Sequence, residues 1–463
     1  MLVPEKGGNA VNNERSGDFG TGSVSRAIIR MAVPMMLAEL VNVLYSVVDR
    51  MYIGHIPGVG DLSLTGLGIT VPIVTITTAF ASLCGAGGGP LCAIARGEGN
   101  QKKAEQIIGN TFSMLLLLAL LLTAVFRLGL TPILRLFGAS EQSLPYAWEY
   151  ASVYVWGTAF AMLSFGMNYF INAQGFARTG MLTIAIGAVI NIALDPVFIF
   201  VMKLGIRGAA IATVIAQMVS CAWVLGFLCS GRAPLRLRRE ALRLHGETVR
   251  PILALGTSGF VMKSTTGLVQ ILYNIQLRRF GGDLYIGSMT ILNSLRDVMF
   301  MTFHGLTNGF QPVLGYNYGA KRYDRVRAGI RFSTLAGLGY AALCWALVLL
   351  LPRPLARIFT NDEALLAACV PAMRVFFSCF VVKALQMVGQ YTYVALGYAK
   401  KAVFFSLLRK VIIVLPLLFL LPDVFGMGAM GVFYTEPAAD LLSSVACYLT
   451  MFLTVYRTMP TEH

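Results

Sequence analysis

Long, unbroken apolar stretches recur along the chain, at 27–54, 62–89, 105–129, 145–174, 178–201, 208–230, 250–278, 284–316, 328–351, 364–396, 401–422 and 431–456. Each is long enough to cross a bilayer, which takes roughly 20 residues as a helix. Hydrocarbon offers no partner to backbone N–H and C=O groups, so only helices and closed barrels can span it. The stretches are continuously apolar and do not alternate, which selects helices over a barrel. Composition agrees: 56% of the 463 residues are hydrophobic and only 13% charged, against about 25% charged in a soluble globule. The sequence therefore predicts an all-α polytopic membrane protein of about twelve transmembrane helices.

The formal net charge of +15 raises the question of nucleic acid, but the basic residues gather in short connections between apolar spans. That is how the positive-inside rule orients a membrane protein, so no nucleic-acid partner is expected. With the amino terminus inside, the cytoplasmic connections carry Arg96, Lys102, Lys103 and Arg178, then Arg232 to Arg243, then Lys321 to Arg327, then Lys400 and Lys401. The opposite side carries fewer, which places both termini in the cytoplasm and the chain in the cytoplasmic (inner) membrane as a multi-pass protein. Residues 1–24 lack the apolar core of a cleavable signal and read as a disordered cytoplasmic tail, and residues 457–463 read as a cytoplasmic tail. Eight cysteines show no zinc or disulfide spacing and read as packing residues.

The second half repeats the first. Pro90 to Lys103 lines up without gaps on Pro312 to Arg325, an offset of 222, which also sets Phe137 on Phe359, Glu141 on Glu363, and Ala173 to Arg178 on Ala395 to Lys400. Six spans per repeat is an even number, so the halves insert in the same orientation about an axis along the membrane normal. The predicted plan is an N-lobe at 25–230, a basic cytoplasmic linker at 231–249 and a C-lobe at 250–456, enclosing a central cleft.

An ionisable residue inside a span costs at least about 2.5–3.5 kcal/mol, which makes each one a functional candidate. At 1.5 Å per residue, Asp49 stands roughly 33 Å along the first span, Asp195 roughly 21 Å along the fifth, and Thr213 roughly 7 Å into the sixth from the outside. Asn191 shares a helical face with Asp195. All four fall in the outer half of the first bundle. Two carboxylates, an amide and a hydroxyl are hard oxygen ligands, and carboxylates brought together raise one another's proton affinity, so these residues form a candidate sodium or proton site. A structural alternative pairs Asp49 with Arg50 and uses Asn191 and Asp195 to cap a helix broken by Pro196.

At these residues the chain resembles the multidrug and toxic compound extrusion (MATE) transporters, bacterial type. The resemblance rests on Pro34 and the Val48-Asp49 to Gly54 segment, on Asn191 to Pro196, on Gly208 to Thr213, and on Gln311-Pro312 through Gly315 to Ala320. It implies two six-helix lobes forming a V-shaped cleft, and export of drugs or organic metabolites, expected to be cationic, in antiport with H+ or Na+. In one branch of the family the residues matching Asp49, Asn191, Asp195 and Thr213 form the amino-lobe cation site, which would be a metal site only with sodium. Bending of the first helix at the position of Pro34 is proposed there to accompany coupling; a missing donor gives a physical reason for a kink, though Pro34 also reads as an ordinary membrane-helix proline. No cofactor is implied beyond the coupling ion, and the partners are a small-molecule substrate and the bilayer, with the chain a monomer.

The carboxyl half departs from a plain cation exporter. Lys263 and Asp297 lie roughly 18–20 Å along their spans, Lys383 about as far from the end of its own, and Glu39 at similar depth, while Glu436 and Asp440 share a face of the last span. These are candidates to line the cleft, with mutual pairing as the structural alternative, since buried opposite charges usually pair. Glu39 favours cationic substrates; Lys263 and Lys383 would favour anionic or zwitterionic ones. Gly85 to Gly89 lacks the Lys and Ser or Thr of a phosphate loop and reads as close packing or a hinge, and His304 as a packing residue. Two other classes remain: a flippase for lipid-linked or amphipathic anionic substrates, and a membrane enzyme, for which no nucleophile, metal set or paired acids facing water is visible. At the 222 offset Asn191 falls on Ile413 and Asp195 on Leu417, and Thr213 meets Glu436 only after a one-residue shift, so ion coupling is expected mainly in the first lobe.

Overall fold

The computed structural model describes residues 19–460; residues 1–18 of the expected amino-terminal tail and 461–463 of the carboxyl tail lie outside the described part. Twelve long helices follow one another: α1 (Val24–Gly54), α2 (Gly60–Gly97), α3 (Gln101–Leu128), α4 (144–173), α5 (Ala177–Val201), α6 (Gly205–Cys229), α7 (Gly246–Gly282), α8 (283–319), α9 (Tyr323–Leu350), α10 (363–395), α11 (Ala399–Val424) and α12 (Gly428–Tyr456). Nine of these, among the described residues, are individually long and apolar enough to cross a bilayer. A tenth, α10, is bent by 51° where Phe376 gives way to Phe380. The other two are α4, interrupted by a tight 3₁₀ turn at Val155–Gly157, and α8, which carries Arg296, Asp297, His304 and Gln311. Helices α7 and α8 join through Gly282, whose φ of 66° lies in the left-handed region that glycine occupies without steric cost.

The duplication is visible in local geometry. Short connecting helices Leu130–Leu136 and Pro352–Arg357 stand 222 residues apart. So do two exposed ion pairs, Arg135 with Glu141 at 3.0 Å and Arg357 with Glu363 at 2.8 Å. Gly175 (φ 90°) matches Gly397 (φ 78°), and Gly99 (φ 73°) matches Lys321 (φ 59°). Beyond α5 the offset becomes 223, because Gly205 (φ 55°) answers to Gly428 (φ 56°). The extra residue has a physical home. Helix α5 has one π turn, Val197–Val201, whereas α11 has two, Leu408–Val414 and Leu420–Val424, and a turn closed by i→i+5 bonds holds one residue more than an α turn.

The lobes meet through glycines. A Cβ added at Gly256 on α7 would come within 1.7 Å of the Leu83 carbonyl oxygen on α2, and one at Gly87 on α2 within 2.1 Å of the Ile252 carbonyl oxygen. The other crossing is equivalent: Gly309 on α8 sits against the backbone of Ala32 on α1, and Gly305 against Met36. Helices α2 and α8 close the same side through Gly97 and Gly319, where an added Cβ would come within 2.0 Å of the Tyr316 carbonyl oxygen and 2.1 Å of the Ile94 carbonyl oxygen. All these positions belong to the helix halves on the side of the chain termini. Gly85 to Gly89 therefore act in close packing, Gly87 between the lobes and Gly85 and Gly88 against α4.

Helices α1 and α7 each change lobes along their length. Residues Val24 to Met35 of α1 lie in one core with Phe310, Leu314 and Ile330 of the second half, whereas Ile53 belongs to the core of the first half. Ile252 of α7 joins the first-half core, and Tyr273 and Leu277 the second-half core. Pro34 sits inside α1 at this crossover, and without an N–H it leaves the carbonyl of Arg30 without its helical donor. The linker is docked rather than loose. Asn110 of α3 donates to the Ala241 and Arg243 carbonyls at 3.0 Å and accepts from the His245 amide at 2.8 Å, while Glu105 holds Arg238 at 2.8 Å.

The packing predicts opposite outcomes for two glycine substitutions. Gly256→Leu forces its side chain into the α2 backbone and should sharply lower the yield and melting temperature of monodisperse protein. Gly339→Ala meets nothing within 4 Å and removes a helix-interior glycine, worth about 0.5–1 kcal/mol, so its melting temperature should match or exceed that of the unaltered protein. Thermal unfolding in detergent, followed by size exclusion, measures both.

Candidate functional site: a buried carboxyl pair beside a cavity

Four of the residues singled out in the sequence come together in the first lobe. Asp49 near the end of α1, Asn191 and Asp195 one turn apart on α5, and Thr213 on α6 are all buried. Helix α5 does not break at Pro196, as the capping alternative would have it, but continues as the π turn Val197–Val201, a distortion that frequently marks functional sites. The Asn191 amide takes its orientation from its network: its nitrogen donates to Asp195 Oδ2 at 2.9 Å, and its oxygen accepts from the Thr213 hydroxyl and amide, both at 3.2 Å. The Asp49 and Asp195 carboxyls face each other within hydrogen-bonding reach. Asp49 Oδ1 is buried with no donor among the described residues, and no ion pair there joins Asp49 to Arg50. The hydroxyls of Tyr45 and Tyr150 face Thr213, a shell that sequence reasoning missed because tyrosines are common in membrane helices.

Beside this cluster lies a cavity of about 350 Å³, within the range of small-molecule sites. Tyr45, Asn191 and Thr213 belong to its wall, so the carboxyl pair sits one side chain behind the cavity surface. Glu39 and Asn42 of α1 and Asn168 of α4 add polar groups, and α8 contributes Asn308, Gln311 and Pro312. Of the six cleft candidates, Glu39 alone lines this cavity. Lys263 stands at its margin, with Nζ 4.7 Å from the centre of the Phe165 ring, a cation–π contact across the two lobes. His304 lies beside Phe300, with ring centres 6.2 Å apart.

The other candidates sit elsewhere. Lys383 donates to Asp440 at 2.6 Å, and Arg409 bonds both Asp440 at 2.8 Å and Glu436 at 2.7 Å. Arg296 reaches Glu436 at 3.8 Å and Asp297 at 3.6 Å. Lys383, Glu436 and Asp440 are thus buried in an ion network inside the second lobe, away from the large cavity, while the Asp297 side chain is 73% exposed. The physical reason is the cost of isolated buried charge, which each of these groups avoids by pairing. Sequence reasoning overlooked Arg409 and Lys410, although two adjacent basic residues inside an apolar span are a signal of this kind.

Removing one member of this network should be costly. Arg409→Met leaves Glu436 and Asp440 short of the partner they share, and breaking a buried pair from one side costs about 3–5 kcal/mol. The combined change Arg409→Met, Glu436→Gln, Asp440→Asn, Lys383→Met should restore much of the lost melting temperature; a four-way variant less stable than Arg409→Met would overturn the pairing account.

Comparisons with known proteins place this geometry. The MatE family model matches residues 34–197 and again 260–420, one match per repeat. The chain is 24% identical over 437 residues to the multidrug export protein MepA of Staphylococcus haemolyticus, covering 94% of each, and 24% identical over 443 residues to that of Staphylococcus aureus strain NCTC 8325 / PS 47, covering 94% of this chain and 95% of the other. Among solved structures, MATE in the bent conformation superposes with a TM-score of 0.88 at 20% identity, over 94% of this chain and 97% of that one. An outward-facing multidrug resistance MATE transporter of the MOP superfamily gives 0.87 at 19%, over 95% and 98%. The fold is the two-lobed, V-shaped architecture of those proteins, and the matched model covers most of the chain. The protein belongs to the MATE family and is a membrane transporter, not an enzyme.

Proposed function

We propose that this transporter exports positively charged organic molecules across the cytoplasmic membrane in exchange for protons or sodium ions, with both termini in the cytoplasm. The observation that carries the reading is the buried Asp49–Asp195 pair opening onto the cavity through Tyr45, Asn191 and Thr213. Two carboxyls in one water-poor pocket repel when both are ionised, so the pair calls for a proton shared between them or a metal cation. The donor set fits either: Asp49 Oδ1 has no other partner among the described residues, and carboxylate, amide and hydroxyl oxygens suit a small hard cation. Glu39 gives the cavity wall its carboxylate and hence its preference for a cationic group. The glycine contacts lie on the side of the termini, which under this orientation closes the cytoplasmic side and leaves the cleft facing outward. The names of the MepA relatives, multidrug export proteins, support export as the direction.

The energy source constrains the exchange. One positive charge moving inward through about 100 mV releases roughly 2.3 kcal/mol, enough for about a fifty-fold gradient. A monovalent cation leaving for each entering proton moves no net charge, so that exchange draws on the pH gradient or on a second ion.

In proteoliposomes with separately imposed proton and sodium gradients, Asp195→Asn should abolish gradient-driven export while inserting and folding normally. Wild-type export rates from this variant would sink the coupling site. Glu39→Gln should leave the gradient requirement intact and raise the KM for a monocationic substrate about tenfold, the effect of losing roughly 1.4 kcal/mol of charge-assisted binding; an unchanged KM would remove Glu39 from substrate recognition.

A further inference from the structure

The ion network of the second lobe occupies the place that the cation site occupies in the first. At the 223 offset, Glu436 stands where Thr213 does and Asp440 where Gln217 does, while Asn191 and Asp195 are answered by Val414 and Leu418, both fully buried. Charge there is dominated by bases. Arg296, Lys383, Arg409 and Lys410 all lie close enough to act on Glu436, and among the described residues the acids set among them are Glu436 and Asp440. Four bases face two acids, and the exposed Asp297 beside Arg296 reduces the excess to one. Lys410 has no ion pair with a carboxylate among the described residues. It lines a small pocket with Arg296, Gln270, Tyr273, Asn293 and Glu436, which leaves about 10 Å³, room for a single water-sized occupant. Two buried polar atoms on this wall lack a partner among the described residues, the Tyr273 hydroxyl and Asn293 Oδ1. Tyr273 is only 3% exposed.

We propose that this pocket holds a single small monovalent anion of halide size, bound between the Arg296 guanidinium, the Lys410 ammonium and the Tyr273 hydroxyl. The anion neutralises the basic excess that the two carboxylates leave over, and it accepts from the otherwise unpartnered tyrosine. The lysine ammonium has three donors, so it can serve the anion and Asn293 Oδ1 together. Glu436 also lines the pocket, and its charge opposes a divalent anion about twice as strongly as a monovalent one.

The test uses purified full-length protein in detergent at constant ionic strength. Its melting temperature is followed as gluconate is replaced stepwise by chloride, bromide or acetate, with sulfate as the divalent comparison. A ligand that binds only the folded state stabilises it saturably, so a hyperbolic rise with chloride and bromide is expected, and none with acetate or sulfate, which are too large for the pocket. Lys410→Met should weaken the midpoint at least tenfold, and Tyr273→Phe, which removes only the hydroxyl, several-fold. An anomalous bromide peak between Lys410 and Arg296 in crystals of the unaltered protein supports the site even if Lys410→Met fails to fold. Equal melting in gluconate, chloride and bromide, a rise that acetate or sulfate reproduces, or an unchanged midpoint in folded Lys410→Met overturns it.

Discussion

The architecture depends on backbone contact at the waist, where helices α1 and α7 pass from one lobe into the other. Small residues let the chains approach closely in a medium that gives no hydrophobic reward for helix association. Gly87 with Gly256, and Gly309 with Ala32, bring backbones to distances that leave no room for a side chain. Since α1 contributes to both cores, the lobes cannot separate as independent bodies. Any change between them has to rotate about this waist or bend the crossing helices. Pro34 on α1 and Gly256 on α7 stand 222 residues apart at equivalent points, and each weakens its helix there by different chemistry: the proline withholds a donor, and the glycine lacks a side chain to stiffen the turn. Asp49 lies fifteen residues beyond Pro34, roughly 22 Å along the helix, so a bend at the waist is felt at the carboxyl pair.

Much of this was legible in the sequence, for identifiable reasons. Apolar runs report spans because the bilayer punishes any polar interruption, and all twelve expected spans coincide with helices. The repeat was legible because connections between helices preserve glycines and basic residues at one offset. The one-residue shift between Thr213 and Glu436 had no explanation in the sequence; the second π turn in α11 supplies it, and hydropathy does not report how many residues a helical turn holds. The convergence of Asp49, Asn191, Asp195 and Thr213 could be anticipated from depth alone because all four sit near one level of the bundle. The partners of Lys383 could not, because depth along a helix says nothing of azimuth. Lys383 points into the second lobe, toward Asp440, and Glu39 points into the cavity. Arg409 and Lys410 escaped notice in a stretch whose mean hydropathy of 2.3 hides two charges.

Duplication therefore copied geometry without copying charge. The first lobe holds two facing carboxyls with one oxygen unpartnered among the described residues, and the second holds bases in excess of acids at the equivalent level. The cost of burying charge explains why neither set is scattered: each group survives in the interior only by being gathered with others. The two interiors differ in sign, and an ion that one lobe attracts is repelled by the other. In the proposed exchange, a cation entering the cleft is drawn toward Asp49 and Asp195 whatever the symmetry of the surrounding helices.

The cavity inherits this asymmetry. Its wall is built mostly by helices of the first lobe and by α8, and three of its lining residues, Tyr45, Asn191 and Thr213, also shield the carboxyl pair. In the proposed exchange, a cation between Asp49 and Asp195 pulls on Asn191 through Asp195 and on Thr213 through Asn191. A substrate in the cavity touches those same side chains from the opposite face. Two ligands that compete for one set of hydrogen bonds disfavour each other's binding by the same free energy in both directions. Exchange then needs no long communication path, since the coupling is carried by three side chains between two adjoining sites. What the waist adds is access, alternating the side from which that shared wall can be reached.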